Sequence, residues 1–433
     1  MHAFSYRDGT LHCESVDLDS LAREHGTPLY VYSKATLLDH YRRLDSALWN
    51  IDHMICYAVK ANSNLAILDL FADEQSGFDI VSGGELYRVI KAGGDAAKCT
   101  FAGVGKTRPE IEYALDQGIY SFNVESEAEL RFINQVAGEM KRKAPVAVRV
   151  NPNVDAGTHA YISTGKKEDK FGIDFDQIED LYARAAQELP HVQLRGIQMH
   201  IGSQLTRIGP FVEATKKVAP LAAKLKADHG IEFFSIGGGI GIVYQNALNS
   251  GHESWWHEMD DIEQITIDHY AESLLPILEP LDMKILLEPG RFISGNAGAL
   301  ITEKLYEKKG AAKTFEIIDA GMSELIRPAL YSGHHDIIPV AEPEEETPNR
   351  IVDIVGPICE SGDFFAKDRE LPVMKQGDLL AVLSAGAYGF VMASNYNSRP
   401  FPAEVLVDGS HAQVVRKRQS WDDLIAGEIA PAI

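Results

Sequence analysis

Lys60 stands in YAVKANSN, directly after the apolar run HMICYAV (53–59). An ammonium that leaves a strand end into a partly dry opening loses hydration. That loss lowers its pKa and frees the amine for Schiff-base chemistry; a solvated strand-end lysine is the plain alternative. Two glycine turns follow much later, SIGGGIGIVY (235–244) and EPGR (288–291). Glycines without side chains let backbone N–H groups close around a phosphate. Either turn alone is a common feature. Together, after the seventh and eighth strand-like runs, they match the place where barrels bind phosphate.

A Schiff-base lysine and a phosphate cradle are the two handles of pyridoxal phosphate. That cofactor needs a protein group at its pyridine nitrogen to set the strength of its electron sink. Glu288 can be that group, since a carboxylate keeps the nitrogen protonated; a salt-bridge or helix-start carboxylate is the alternative. His200, in MHIGSQ, can lie against the ring, and Ser203 can donate to the phosphate. A satisfied core histidine is the competing reading of His200. Three later clusters carry further chemistry: MSELIRPALY (322–331), GPICESGD (356–363) and SAGAYGF (384–390). Arg327 can grip a carboxylate with two parallel bonds. Glu360 can hold an ammonium, Cys359 can donate a proton, and Tyr388 can hydrogen-bond phosphate or substrate. Each also fits a loop or surface role.

The elements that must position these residues fall into two patterns. From about residue 50 to 290, short β-rich runs alternate with amphipathic stretches. The runs are 53–59, FDIVS (78–82), CTFAG (99–103), YSFNV (120–124), VAVRV (146–150), RGIQMH (195–200), EFFSIGG (232–238) and KILLE (284–288). Between them, Leu130, Ile133 and Val136 share one helical face. Eight such units predict an α/β fold, a (β/α)8 barrel of about 250 residues. Lys60, Gly103, Asn123, Arg149, Asn151, His200, the GGG run and Glu288 all lie at or after strand ends. In a barrel those ends meet at one mouth. After about residue 300 the strand-like runs follow one another without helices, which predicts a largely antiparallel β-barrel or sandwich domain. The expected division is 30–295 for the barrel, with 1–29 and 296–433 in the β-domain.

Bulk properties narrow the partners. A chain of 433 residues exceeds what one core usually serves. Its formal charge of -22 disfavours nucleic acid and anionic membranes, yet leaves room for a local positive pocket. Cys13, Cys56, Cys99 and Cys359 form no CxxC pair, so no metal site is expected and a reducing cytoplasm fits. The opening MHAFSYRDGT has no signal-peptide pattern, and no apolar run approaches the roughly 20 residues of a membrane span.

The motifs together resemble the fold-type III pyridoxal-phosphate decarboxylases, and among them the diaminopimelate decarboxylase family. YAVKAN, FDIVSGGEL (78–86), FAGVGKT (101–107), VRVNPNV (148–154), KFGI (170–173), HIGSQ, GGG, EPGR, RPALY, CESGD and AYG occur in that family's order. The resemblance runs from TPLYVYS (27–33) to FPAEVLVDG (401–409). It implies that Lys60 binds pyridoxal phosphate covalently and that His200 stacks on its ring. Asp79 and Arg149 support the site. Ser203, Gly238, Gly239, the stretch Glu288, Pro289, Gly290 and Arg291, and Tyr388 surround the phosphate. Arg291, Arg327, Tyr331, Glu360 and Tyr388 contact substrate. Cys359 protonates the reacting carbon, and with Glu360 it comes from the partner in a head-to-tail homodimer with shared sites. The implied reaction converts meso-diaminopimelate to L-lysine and CO2. Decarboxylases of ornithine, arginine or carboxynorspermidine are the competing readings. So are an alanine-racemase-like isomerase, which would put a cation where Glu288 stands, and a module that has lost the cofactor. The loop NALNSGHESWWHEMD (246–260) and Asp261 match no assignable role.

Overall fold

The structure, a computed structural model, describes residues 3–154, 170–251 and 265–429. Most of the loop 246–261 (252–261) lies outside the described residues. The chain divides into two compact units, one built on His40–Ile242 and Asp261–Phe292, the other on Met1–Asp39, Val243–Asp260 and Ile293–Ile433.

The first unit is a closed ring of eight parallel strands. They are β1 (His53–Ala58), β2 (Gly77–Ile80), β3 (Cys99–Phe101), β4 (Ser121–Val124), β5 (Ala144–Asn151), β6 (Val192–Met199), β7 (Phe233–Ser235) and β8 (Lys284–Leu287). Each pairs with the next, and β8 returns to β1 through Ile285↔His53 and Leu287↔Ile55. Every expected strand is present, with ends shifted by a few residues. Cys56, Ala147, Phe233 and Leu286 come from four strands around the ring and pack into one buried cluster. Strands as far apart in the ring as β1 and β5 can meet only through the interior, so the barrel is filled rather than open.

Helices cover the ring because their caps and stripes agree. Helix α1 is Leu65–Asp73, α2 is Gly83–Lys91, α3 is Arg108–Gln117 and α4 is Glu127–Glu139. Ser126 accepts from the Glu129 N–H at the start of α4, and Glu127 and Glu129 place acid in its first turn. Leu130, Ile133, Val136 and Ala137 then form its buried stripe. The Thr107–Glu110 capping box starts α3. Losing one such cap costs about 1 kcal/mol. These starts lie just past the strand ends, so capping also fixes the loops at the mouth.

The second unit holds a mixed sheet. Its main path runs Phe364–Pro372, Asn349–Val355, Thr314–Ile318, Gly298–Lys309, Leu29–Ser33, Ala403–Asp408, His411–Arg416. Leu379–Val382 pairs with both Gly298–Lys309 and Ile337–Pro339. Most pairings are antiparallel; Thr314–Ile318 with Asn349–Val355 and Leu29–Ser33 with Ala403–Asp408 are parallel. Residues 30–39, 243–251 and 293–295, expected with the barrel, fall in this unit. For the first stretch the reason is hydrogen bonding: Leu29–Ser33 is a fully buried strand between Gly298–Lys309 and Ala403–Asp408. Leu29, Val31, Ala299, Ile301, Val405 and Val407 share its core.

Candidate active site

In the barrel unit, chemistry gathers where the strands end. Lys60 follows β1 in a short 3-10 turn, Val59–Ala61. Its Nζ is ion-paired with Asp79 of β2. The lysine side chain is 39% exposed and that of Asp79 is buried, so the amine reaches the mouth from a buried anion. The expected loss of hydration is therefore only partial, and a counter-charge accompanies it. The ion pair must open before the amine can act as a nucleophile. Beside it, burial pushes the Glu85 carboxyl up to about 7, while it accepts the Val81 N–H at 2.7 Å.

Glu288 follows β8 and is buried. Three neutral donors converge on its carboxyl: Ser235 Oγ at 2.8 Å, Gln198 Nε2 at 2.9 Å and Asn123 Nδ2 at 3.2 Å. They come from β7, β6 and β4, so the ring itself aims them. Burial and the nearby Asp79 charge push the carboxyl up to about 7, while Ser235, Lys60 and Gln198 pull it down. A carboxylate so placed accepts well and gives up or takes a proton near neutrality.

His200 is neutral in this setting. Burial first, then the charges of Arg149 and Lys60, hold its pKa well below the usual imidazole value. Its Nδ1 accepts the Gly238 N–H at 3.2 Å, so that glycine amide is engaged by the histidine. Arg149 donates to the His200 carbonyl at 3.3 Å and to Glu125 at 2.8 Å. Its guanidinium lies 4.8 Å from the centre of the Phe171 ring. Arg149 thus works on the site through backbone and ring. Arg291 donates to Ser203 Oγ at 3.0 Å, which leaves the serine hydrogen able to donate elsewhere.

The glycine turn has no room for side chains. A Cβ at Gly238 would lie 2.1 Å from the Glu288 carbonyl oxygen. One at Gly239, whose φ is +106°, would lie 2.4 Å from the Gly202 oxygen. The loops after β6, β7 and β8 are therefore pressed together. A Cβ at Gly290 would lie 2.9 Å from the Ala61 side chain, beside Lys60, and the Pro289 carbonyl accepts from the Ala58 N–H at 2.9 Å.

Pyridoxal phosphate fits this set of residues. Asp79 Oδ1 and Gln198 Oε1 are buried without a hydrogen-bond partner, which is costly unless a bound polar group supplies donors. The amine of Lys60 suits an aldehyde, Glu288 suits a ring nitrogen, and the tight glycine loops with Ser203 and Arg291 suit a phosphate.

The second unit carries the remaining predicted residues. Arg327 opens the short helix Arg327–Tyr331 and is buried, whereas Tyr331 is half-buried. Arg327 donates to Tyr244 Oη at 2.7 Å and meets His335 Nε2 at 3.2 Å. Cys359 and Glu360 lie in an exposed turn, apart from that cluster in bonding; the Cys359 N–H donates to Asn397 at 2.8 Å. Asp363 braces this turn by accepting from Ile358 at 2.7 Å and Met322 at 2.6 Å. Tyr388 has a φ of +54°, a left-handed conformation uncommon for an aromatic residue.

Sequence reasoning assigned no role to Gln198, Ser235, Glu125, Tyr244 or His335, and noted Asn123 only as a strand-end residue. For Gln198, Ser235 and Asn123 a signal existed, an uncharged polar residue in the last two positions of an apolar strand. Glu125, Tyr244 and His335 sit in loops and gave none.

Comparison with known proteins agrees with this geometry. The family model described as pyridoxal-dependent decarboxylase, pyridoxal binding domain, matches residues 34–295. The chain is 49% identical to the diaminopimelate decarboxylase of Vibrio cholerae over 431 residues, 99% of each chain. It is also 49% identical to that of Pseudomonas aeruginosa over 429 residues, again 99% of each. The crystal structure of the Helicobacter pylori diaminopimelate decarboxylase complexed with L-lysine superposes with a TM-score of 0.87 at 41% identity, covering 95% of this chain and 98% of that one. That from M. jannaschii in co-complex with L-lysine gives 0.89 at 37% identity, covering 100% and 99%. With the lysine, the buried acid and the glycine loops already in place, about half identity over nearly the whole length settles the matter: the chain belongs to the diaminopimelate decarboxylase family of pyridoxal-dependent enzymes.

Proposed function

We propose that the chain removes CO2 from meso-2,6-diaminopimelate to give L-lysine, the last step of lysine biosynthesis, with the site residues acting as follows. When bound, pyridoxal phosphate supplies the sink for the electron pair that departing CO2 leaves behind. Lys60 would hold the cofactor through Nζ, which sits at the mouth beside the buried Asp79. Asp79 keeps that amine at the mouth. Glu288, fixed by Asn123, Gln198 and Ser235, holds a proton at the ring nitrogen. His200, kept neutral by burial and by Arg149 and Lys60, would face the ring without adding charge. Gly239, Ser203 and Tyr388 would hold the phosphate, with the backbone from Glu288 through Pro289 and Gly290 to Arg291, while Gly238, its amide on His200, keeps the loop pressed against Glu288. Arg291, Arg327, Tyr331, Glu360 and Tyr388 bind the substrate's charged groups. Cys359 protonates the reacting carbon.

The buried Glu288 carboxyl on three aimed donors carries this reading, because an isomerase of the alanine-racemase kind would place a cation there. The test is incubation of the cofactor-loaded protein with meso-, LL- and DD-diaminopimelate and ornithine, following lysine and CO2. Turnover of ornithine but not of meso-diaminopimelate would overturn it.

Cys359 and Glu360 lie on an exposed turn, which supports a homodimer in which each chain lends them to its partner. Mixing K60A with C359A chains, each inactive alone, is then expected to restore turnover; no recovery in mixed dimers removes this proposal. The four cysteines are unpaired, three of them buried, which supports a reducing cytoplasm as the setting; recovery of the native chain outside the cytoplasm on cell fractionation would refute that. Among the described residues no helix is long and apolar enough to cross a membrane.

A further inference from the structure

His335 is buried and takes no part in the roles above. Its two ring nitrogens meet partners of opposite kind. Nδ1 lies 2.8 Å from the Leu383 carbonyl oxygen, which can only accept. Nε2 lies 3.2 Å from Arg327 NH1, which can only donate. These neighbours put the single proton on Nδ1 and a lone pair on Nε2. The same NH1 donates to Tyr244 Oη at 2.7 Å, and the guanidinium lies 4.7 Å from the centre of the Tyr244 ring. The Tyr244 and His335 rings meet edge to face, with centroids 5.2 Å apart. Two acceptors on one nitrogen and a ring against its face set the plane in which Arg327 can present its fork.

A carboxylate is gripped by two parallel bonds only when that plane is right. We propose that His335 is a positioning residue that sets Arg327 for the carboxylate of the substrate head that is not decarboxylated. This rests on the reading of Arg327 as a substrate residue. His335 thereby tunes selection for a far-end carboxylate, while Leu383 anchors the histidine from behind.

The test uses the cofactor-loaded enzyme and two competitive ligands of similar length. L-lysine keeps the far carboxylate; pentane-1,5-diamine lacks it. The variant H335N keeps an amide near Leu383 and removes the acceptor from Arg327. It is expected to raise the KM for meso-diaminopimelate and the Ki for L-lysine by about tenfold, with the Ki for pentane-1,5-diamine and kcat within about twofold. H335Q, which returns an oxygen near the Nε2 position, recovers most of the loss. Equal weakening of both ligands, or no weakening of L-lysine, overturns the proposal. R327A is the reference: if it leaves the KM unchanged, the reading of Arg327 fails and this inference falls with it. If R327A raises the KM and H335N does not, only the role of His335 fails. Should H335N not fold, 15N NMR of the wild-type histidines decides. An unprotonated Nε2 that shifts with L-lysine and not with the diamine supports the role, and a protonated Nε2 or an equal response to both overturns it.

Discussion

Asp79 holds Lys60 with one carboxylate oxygen and keeps the other, Oδ1, buried without a hydrogen-bond partner. The aspartate is thus half-satisfied and depends on the lysine for its counter-charge. K60A is expected to abolish turnover and the visible absorption of bound cofactor. It also strands the Asp79 charge, at a cost of about 1–3 kcal/mol, reduced from a fully buried pair because the lysine is partly solvated. D79N added to K60A should recover much of that stability without activity. Urea unfolding of the single and double variants measures both; a K60A protein as stable as wild type would show that solvent screens the pair.

Glu288 predicts a pH signature in the cofactor-free protein. Its carboxyl is raised to about 7 in the fold, chiefly by burial, against an unfolded value near 4.3. A raised acid stabilises the fold while protonated. That stability is complete below the unfolded value and is lost as pH rises through about 7. The gap is worth roughly 4 kcal/mol. E288Q carries no such penalty, so wild type should lose stability relative to E288Q between pH 5 and 8. Activity of E288Q should fall by about two orders of magnitude. Parallel stability curves for the two proteins would contradict the burial argument.

The opposite slope is expected from His200. Its pKa is depressed by burial and by Arg149 and Lys60. A depressed base contributes stability above its unfolded value, near 6.5, and that contribution is lost as pH falls toward the folded value. H200Q has nothing to protonate, so wild type should weaken more than H200Q between pH 7 and 5. Denaturant titrations at the two pH values supply the comparison.

The Arg149–Glu125 pair is buried on both sides, and Glu125 also accepts the Gly172 N–H at 2.9 Å. E125Q should cost about 3 kcal/mol because it leaves a buried guanidinium without its anion. It should weaken cofactor binding too, since Arg149 also holds the His200 carbonyl. Replacing both residues by E125L and R149M should recover part of the stability and none of the cofactor affinity. Equilibrium dialysis with pyridoxal phosphate would expose the difference.

The barrel strands were legible because each is an apolar run between a capped helix and a turn, and the α4 stripe because Leu130, Ile133 and Val136 keep helical spacing. Phe364–Pro372 is not among the expected strand-like runs: Lys367, Asp368, Arg369 and Glu370 interrupt its apolar residues, and such charges suit the sheet edge where it lies. Leu29–Ser33 is a short run rich in β-branched and aromatic residues, yet no local feature says which sheet takes it; that is decided by pairing with Ala403–Asp408. In the site, Lys60, His200 and Glu288 could be picked out by residue type at strand ends. Gln198 and Ser235 also show as polar residues at strand ends, but only closure of the ring determines that their side chains turn toward Glu288. The contact of His335 with Arg327 depends on how the chain folds back after the helix Arg327–Tyr331, which spacing along the chain does not encode.

The seam of the barrel also dictates when the machinery comes into being. The first strand delivers the lysine and the last delivers the acid, and they become neighbours only when Ile285 pairs with His53. A chain still emerging from the ribosome carries the reactive amine long before its partner has been synthesised. If Lys60 and Glu288 hold the vitamin as proposed, its capture comes late, once the circle is complete. Fragments and misfolded copies would lack the means to sequester a scarce and reactive aldehyde.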